Sequence, residues 1–205
     1  EHKDSRKLCE NAAERFYEGY VGDLPVWKAQ SWPRWSEIKD QVKPKTVAVW
    51  VDDFVVDDAA RWGHKERGII WFYKARAFGE RLAEKSGLPL HVGGGAHKDA
   101  LLRAEDGSRS IVVSINSRGT GWDGLQNLFC TQLVANPPVS PATWEQLLGR
   151  LHRIGQEADE VTTVVYRHTP ELQESIDKAL KYARYVQGTM GQLQKLLAST
   201  TTFGV

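Results

Sequence analysis

The chain has 205 residues, with 27 Lys and Arg against 26 Asp and Glu for a formal net charge of +1, which excludes a histone-like tail or a polyacidic mimic as a description of the whole. Its composition, 41% hydrophobic and 26% charged, is that of a globular protein long enough to bury one sizeable core, which excludes general disorder. No apolar run approaches the roughly 20 residues of a membrane span, no start resembles a signal peptide, and the two cysteines, Cys9 and Cys130, are too few and too far apart for a cysteine-based metal site. A cytoplasmic protein is therefore expected. Position 1 is Glu rather than Met, and the expectation is a piece excised from a longer polypeptide.

In chain order, Leu8, Ala12, Phe16 and Tyr20 recur at helical spacing, and Trp27, Trp32 and Trp35 mark a turn region. A second helix is expected from Pro33, with Trp35, Ile38 and Val42 on one face, then a strand over Thr46–Val51 and a short helix over Phe54–Trp62. From Gly68 onward, β-branched runs alternate with amphipathic stretches, the pattern of βα units around a parallel sheet. Strands are predicted over Gly68–Tyr73, Leu88–Val92, Ser110–Ile115, Cys130–Ala135 and Val161–Tyr166. Trp50 and Trp71 are expected to be core residues of strands, and Cys130 to be buried in one.

Helices are predicted over Ala75–Ser86, stopped by Gly87, and over Ala96–Ala104. Another runs from Pro141 to about Leu151 behind a Ser140 N-cap. Gly93–Gly95 and Asp106–Gly107 read as turns. After Pro170, Leu172, Ile176, Ala179, Leu180, Ala183 and Val186 define a long helix, and Leu193, Leu196 and Leu197 a further turn or two. Neutrality hides a dipolar chain: Asp52, Asp53, Asp57 and Asp58 are followed by seven Lys/Arg against three Glu over residues 61–85.

The most informative segment is Gln146-Leu147-Leu148-Gly149-Arg150-Leu151-His152-Arg153-Ile154-Gly155-Gln156. Arg150 and Arg153, three apart, would share a helix face, with Gly149 allowing close approach and Gly155 ending the helix. Two guanidinium forks so placed suit a phosphoryl group in transfer, where one such finger contributes roughly 10³ to 10⁵ in rate. Taken alone, an Arg-x-x-Arg pair is most often a solvated helix face; the flanking Gln and Gly residues narrow the reading.

This segment resembles motif VI of superfamily 2 helicases and translocases in the form used by the SWI/SNF-related branch. Asn136–Glu145 resembles that branch's strand-to-helix connection, Gly68–Tyr73 with the helix after it resembles motif IV, and Ser114–Asp123 resembles motif V. The resemblance implies an α/β fold: a RecA-like parallel sheet flanked by helices, with extra N-terminal and C-terminal helical segments. It divides the chain into a helical and connecting segment with one candidate strand (1–67), a RecA-like core (68–168) and a helical extension (169–205). The chain would be the second lobe of a two-lobed, ATP-dependent motor.

By the same resemblance, Arg150 and Arg153 are the catalytic fingers, while Gln146, Gly121 and Asp123 face the nucleotide. Gly119 and Thr120 would touch a nucleic-acid backbone, and His97 and Lys98, beyond a glycine-rich turn, add candidate phosphate contacts. ATP and Mg²⁺ are the implied cofactors, bound mainly by a first lobe of the same parent polypeptide, because no Gly-Lys dipeptide of a phosphate loop occurs. The isolated chain is then expected to be inactive. DNA is the expected track, no membrane is involved, and the setting is the cytoplasm, the nucleoid or the host cytoplasm of a virus.

Rival readings are weaker. Thr46–Asp53 mimics a Walker B strand, but helix capping accounts better for Asp52 and Asp53. His64, His91, His97 and His168 lack metal-like spacing, so no metal site is expected, and His152 is as well explained as a solvated spacer. The alternative function is a helicase-like lobe that only docks nucleic acid or protein.

Overall fold

A computed structural model describes Glu37, Gln41 and residues 47–93, 104–118 and 124–199. Two compact units, Glu1–Val49 and Trp50–Val205, divide the chain. The expected helices around Leu8–Tyr20 and from Pro33, and the Ala96–Ala104 helix, lie outside the described residues except for Glu37, Gln41 and Ala104.

Within the second unit the described elements are α1 (Phe54–Lys65), β1 (Gly68–Phe72), α2 (Arg76–Ser86), β2 (Leu90–His91), β3 (Ile111–Ser114) and the single turn α3 (Ile115–Arg118). They continue with a 3₁₀ turn (Leu125–Asn127), β4 (Thr131–Val134), α4 (Pro141–Leu148), β5 (Thr162–Val165), α5 (Pro170–Met190) and α6 (Lys195–Ala198). The five strands form one parallel sheet in the order β2-β3-β1-β4-β5. The expected α/β fold, a parallel sheet flanked by helices, is what the chain adopts.

The apolar runs explain the layering. β1 and β3 are buried along their whole length, as strands covered on both faces must be. Ile69, Trp71, Ile111 and Val113 point to one side, where Trp144, Leu147, Leu148, Leu151 and Ala179 cover them. Ile70, Phe72 and Val112 point to the other and meet Val56, Ala59, Phe78 and Leu82. So α1 and α2 cover one face, and α4 and α5 the other. Gln132, fully buried in β4, accepts from Trp71 Nε1 at 2.8 Å and donates to Thr163 Oγ1 at 2.9 Å, so its amide is satisfied across three adjacent strands.

Three expectations are corrected. Residues 47–51 form no strand: Val47, Val49 and Val51 are exposed, since β propensity by itself does not make a strand. Trp50 is half-buried outside any strand, with the Arg81 guanidinium 4.5 Å above its ring, whereas Trp71 is a core residue of β1 as expected. Cys130 is a half-buried free thiol one residue before β4.

The two charge blocks meet each other. Asp53 occupies the N-cap position of α1 but makes no side-chain cap; its carboxylate takes Arg81 at 2.7 Å and Lys85 at 3.0 Å, both from α2. Those two cations hold the Asp53 carboxyl below its ordinary value. Capping falls instead to Asp52, whose Oδ1 accepts the Phe54 N–H at 3.1 Å.

Candidate functional site

Helix α4 begins as its sequence dictates. Ser140 caps it, accepting from the Thr143 N–H, and Pro141 fills its first turn. Trp144 is fully buried and its Nε1 donates to Pro138 O at 2.7 Å, fixing the connection out of β4. The helix stops at Leu148, short of the expected Leu151. Arg150 N–H then bonds Leu147 O, three residues back, and Arg153 N–H bonds Leu151 O, so the backbone tightens into successive turns. Arg150 and Arg153 therefore stand beyond the helix, rather than on its face as expected. The apolar series Leu147, Leu148 and Leu151 continues across that boundary because all three stay buried.

The turns are locked by Gln156. Its Nε2 donates to Phe129 O at 2.9 Å, and its Oε1 accepts the Ala158 N–H at 3.0 Å. Gly155, at φ +92°, makes the reversal that lets Gln156 turn back toward the sheet. In this segment the last Gln and Gly are structural residues that hold the arginine-bearing turns in place.

Gln146, Arg150 and Arg153 come together. They line one open cleft of about 300 Å³ with Glu145, Gly149, His152 and Lys195. Arg150 is 9% exposed, whereas Gln146, His152 and Arg153 are exposed. Among the described residues the charged lining consists of Arg150, Arg153, Lys195 and the carboxylate of Glu145, which Lys195 engages at 3.1 Å. A lining with this balance suits an anion rich in oxygen acceptors. Lys195 and Glu145 were absent from the sequence-derived site. Their only sequence signals were the place of Glu145 beside Gln146 and that of Lys195 in the short apolar turn after the long helix.

A second hollow of about 350 Å³ shares His152 and Arg153 with this cleft and is otherwise lined by Ile154, Gln156, Ala158, Asp159 and Val161. Ile154, among its lining residues, is 99% exposed. Gly119, Thr120, Gly121 and Asp123, with His97 and Lys98, lie outside the described residues. Among the described residues no group of three metal-ligating side chains is assembled, and no helix is long and apolar enough to cross a membrane.

No family model matches the sequence. No curated protein matches it. Among solved structures, the chain is similar to the C-terminal part of the Fun30 ATPase domain, at 13% identity and a TM-score of 0.45. The alignment covers 86% of this chain and 53% of the other, so the chain spans about half the length of that neighbour.

Proposed function

We propose that the chain is the second motor lobe of an ATP-dependent superfamily 2 translocase or helicase acting on nucleic acid, with DNA as the track. The observation that carries this reading is the convergence of Gln146, Arg150 and Arg153 on one cleft whose backbone Gln156 pins. Motif resemblance supplies the family, and the cleft's cationic lining supplies the chemistry.

ATP, held on a first lobe with its Mg²⁺, would present the transferable phosphoryl group. The residues of this chain then do three things. Arg153, exposed, extends a planar fork toward non-bridging oxygens. Arg150, largely shielded from water, places its charge where screening is weaker and Coulomb attraction stronger. Gln146 adds neutral hydrogen bonding on the last turn of α4. By the motif resemblance, Gly119, Thr120, His97 and Lys98 would contact the nucleic-acid backbone. Contacts made mainly to phosphate would give little sequence preference and an affinity that falls with salt.

Arg153→Ala, made in the two-lobed parent polypeptide, tests the assignment. ATP binding should persist while nucleic-acid-stimulated hydrolysis falls by roughly 10³. Hydrolysis within a few-fold of wild type would return the chain to the docking-module reading.

A further inference from the structure

Charge is distributed unevenly along α5 and beyond it. The first half of the helix holds Glu171, Glu174 and Asp177, whereas from Lys178 to Val205 the sequence has four cations, Lys178, Lys181, Arg184 and Lys195, and no acid. Two of the four have partners: Lys178 pairs with Glu174 at 2.7 Å and Lys195 with Glu145. Among the described residues Lys181 and Arg184 make no ion pair. Asp177, one turn before Lys181, accepts from Gln173 Nε2 at 2.8 Å, and Arg184 has no acid within four positions on either side. The helix dipole does not account for these two cations, because its effect fades within the last turn and that turn holds no basic residue. Three apart on one helix, they repel each other. Each is followed by an exposed tyrosine, Tyr182 at 54% and Tyr185 at 68%. The buried residues of α5, Ile176, Ala179 and Ala183, lie on its other side, and among the described residues neither tyrosine ring packs on another ring or on a cation.

From this arrangement we infer that the exposed face of α5 from Lys181 to Tyr185 binds single-stranded nucleic acid. Two uncompensated cations alternate with two flat aromatic rings, and a polynucleotide with unstacked bases carries phosphate and π surface in the same alternation. A duplex keeps its bases stacked and leaves the rings without a partner; an acidic peptide engages the cations and not the rings. Gly188 keeps the tyrosine end open. Helical side chains lean toward the N-terminus, so a side chain at 188 would lie over the turn that carries Tyr185, and nothing stands within 4 Å of a Cβ built there. Contacts to phosphate and to base faces read little sequence. This surface belongs to α5 alone and needs neither the motor reading nor the arginine cleft.

Fluorescence anisotropy on the 205-residue chain tests the assignment, with three labelled probes: oligothymidylate of about 20 nucleotides, a DNA duplex of the same length, and polyglutamate. Oligothymidylate should bind best, with an affinity that falls as salt rises. Lys181→Gln with Arg184→Gln should weaken that binding and lower the slope of log affinity against log salt by about 1.4, the value for two phosphate contacts on a single strand. Tyr182→Ala with Tyr185→Ala should weaken it by roughly tenfold or more at an unchanged slope, and Tyr182→Phe with Tyr185→Phe should keep wild-type affinity. All four side chains are exposed, so thermal melts of the variants should match the wild type. Wild-type affinity in the glutamine pair or in the alanine pair overturns the assignment, as does a chain that takes up no oligothymidylate. Duplex bound as tightly as the single strand reduces the face to a plain cationic patch, and polyglutamate bound as tightly makes it a site for an acidic protein; either result overturns the assignment too. None of these outcomes bears on the motor reading, which is decided by hydrolysis in the Arg153→Ala parent.

Discussion

Tyr166 joins the end of β5 to helix α1 through a single bond, its hydroxyl donating to Asp58 Oδ2 at 2.6 Å across 108 residues of sequence. Burial, and then the bond to Asp58, pushes the phenol well above its ordinary value, so it stays a donor throughout the neutral range. The same bond, ahead of Arg61, holds the Asp58 carboxyl below its ordinary 3.8. A carboxyl depressed in the folded state contributes stability that is complete above its unfolded value and is lost as pH falls through the folded one. Tyr166→Phe should therefore cost about 1 kcal/mol in urea unfolding at pH 7. The deficit should shrink as the pH is lowered below about 4 and Asp58 takes a proton in both proteins. A deficit that stays constant as the pH is lowered from 7 to well below the ordinary carboxylate range would remove the carboxylate from the account.

At the scale of elements, two helical glycines make opposite predictions. Gly79 faces β1 from α2, and a Cβ there would stand 2.4 Å from the Phe72 ring, itself 1% exposed and closed in. Gly188 lies exposed in α5 with nothing within 4 Å of a Cβ. Gly79→Ala gains helix propensity but overpacks the α2–β1 contact, for a net loss of about 1 to 3 kcal/mol; Gly188→Ala meets no clash and gains about 0.5 to 1 kcal/mol. Chemical denaturation of the two variants should give shifts of opposite sign. Elements of this kind are legible where pattern and neighbour agree: Gly68–Tyr73 and Ser110–Ile115 read as strands because each holds an unbroken apolar run, and the strands formed there, β1 and β3, are both interior to the sheet. Residues 47–51 carry as much β-branched character and form nothing, since propensity alone does not supply a partner strand. The end of α4 was misplaced for a different reason, because a tight turn keeps Leu151 on the buried side as a helix would. The Glu145–Lys195 bond left no periodic trace, being made by two polar residues brought together only by tertiary packing.

For the whole molecule, the near-zero charge of the chain conceals a pairing rather than a mixture. Asp53, at the N-cap position of α1, and Asp57, in its first turn, are paired with Arg81 and Lys85 of α2. The cationic lining at Arg150, Arg153 and Lys195 is thus a separate feature, carried by segments that net composition does not reveal. The strand order carries a further consequence for how the chain is made. Strand β1 is central, yet both its neighbours, β3 and β4, follow it in sequence. During synthesis at about 5 to 20 residues per second, Gly68–Phe72 waits on the order of seconds for Ile111–Ser114 and longer for Thr131–Val134. For that interval an Ile-Ile-Trp-Phe segment has no partner on either edge, the condition in which strands capture other chains. Ribosome-arrested chains whose emerged portion ends before Ile111 should crosslink to a chaperone through residues 68–72, and the crosslink should fade once Val134 has emerged. The strand that ends up most deeply enclosed is the one the cell must shield first.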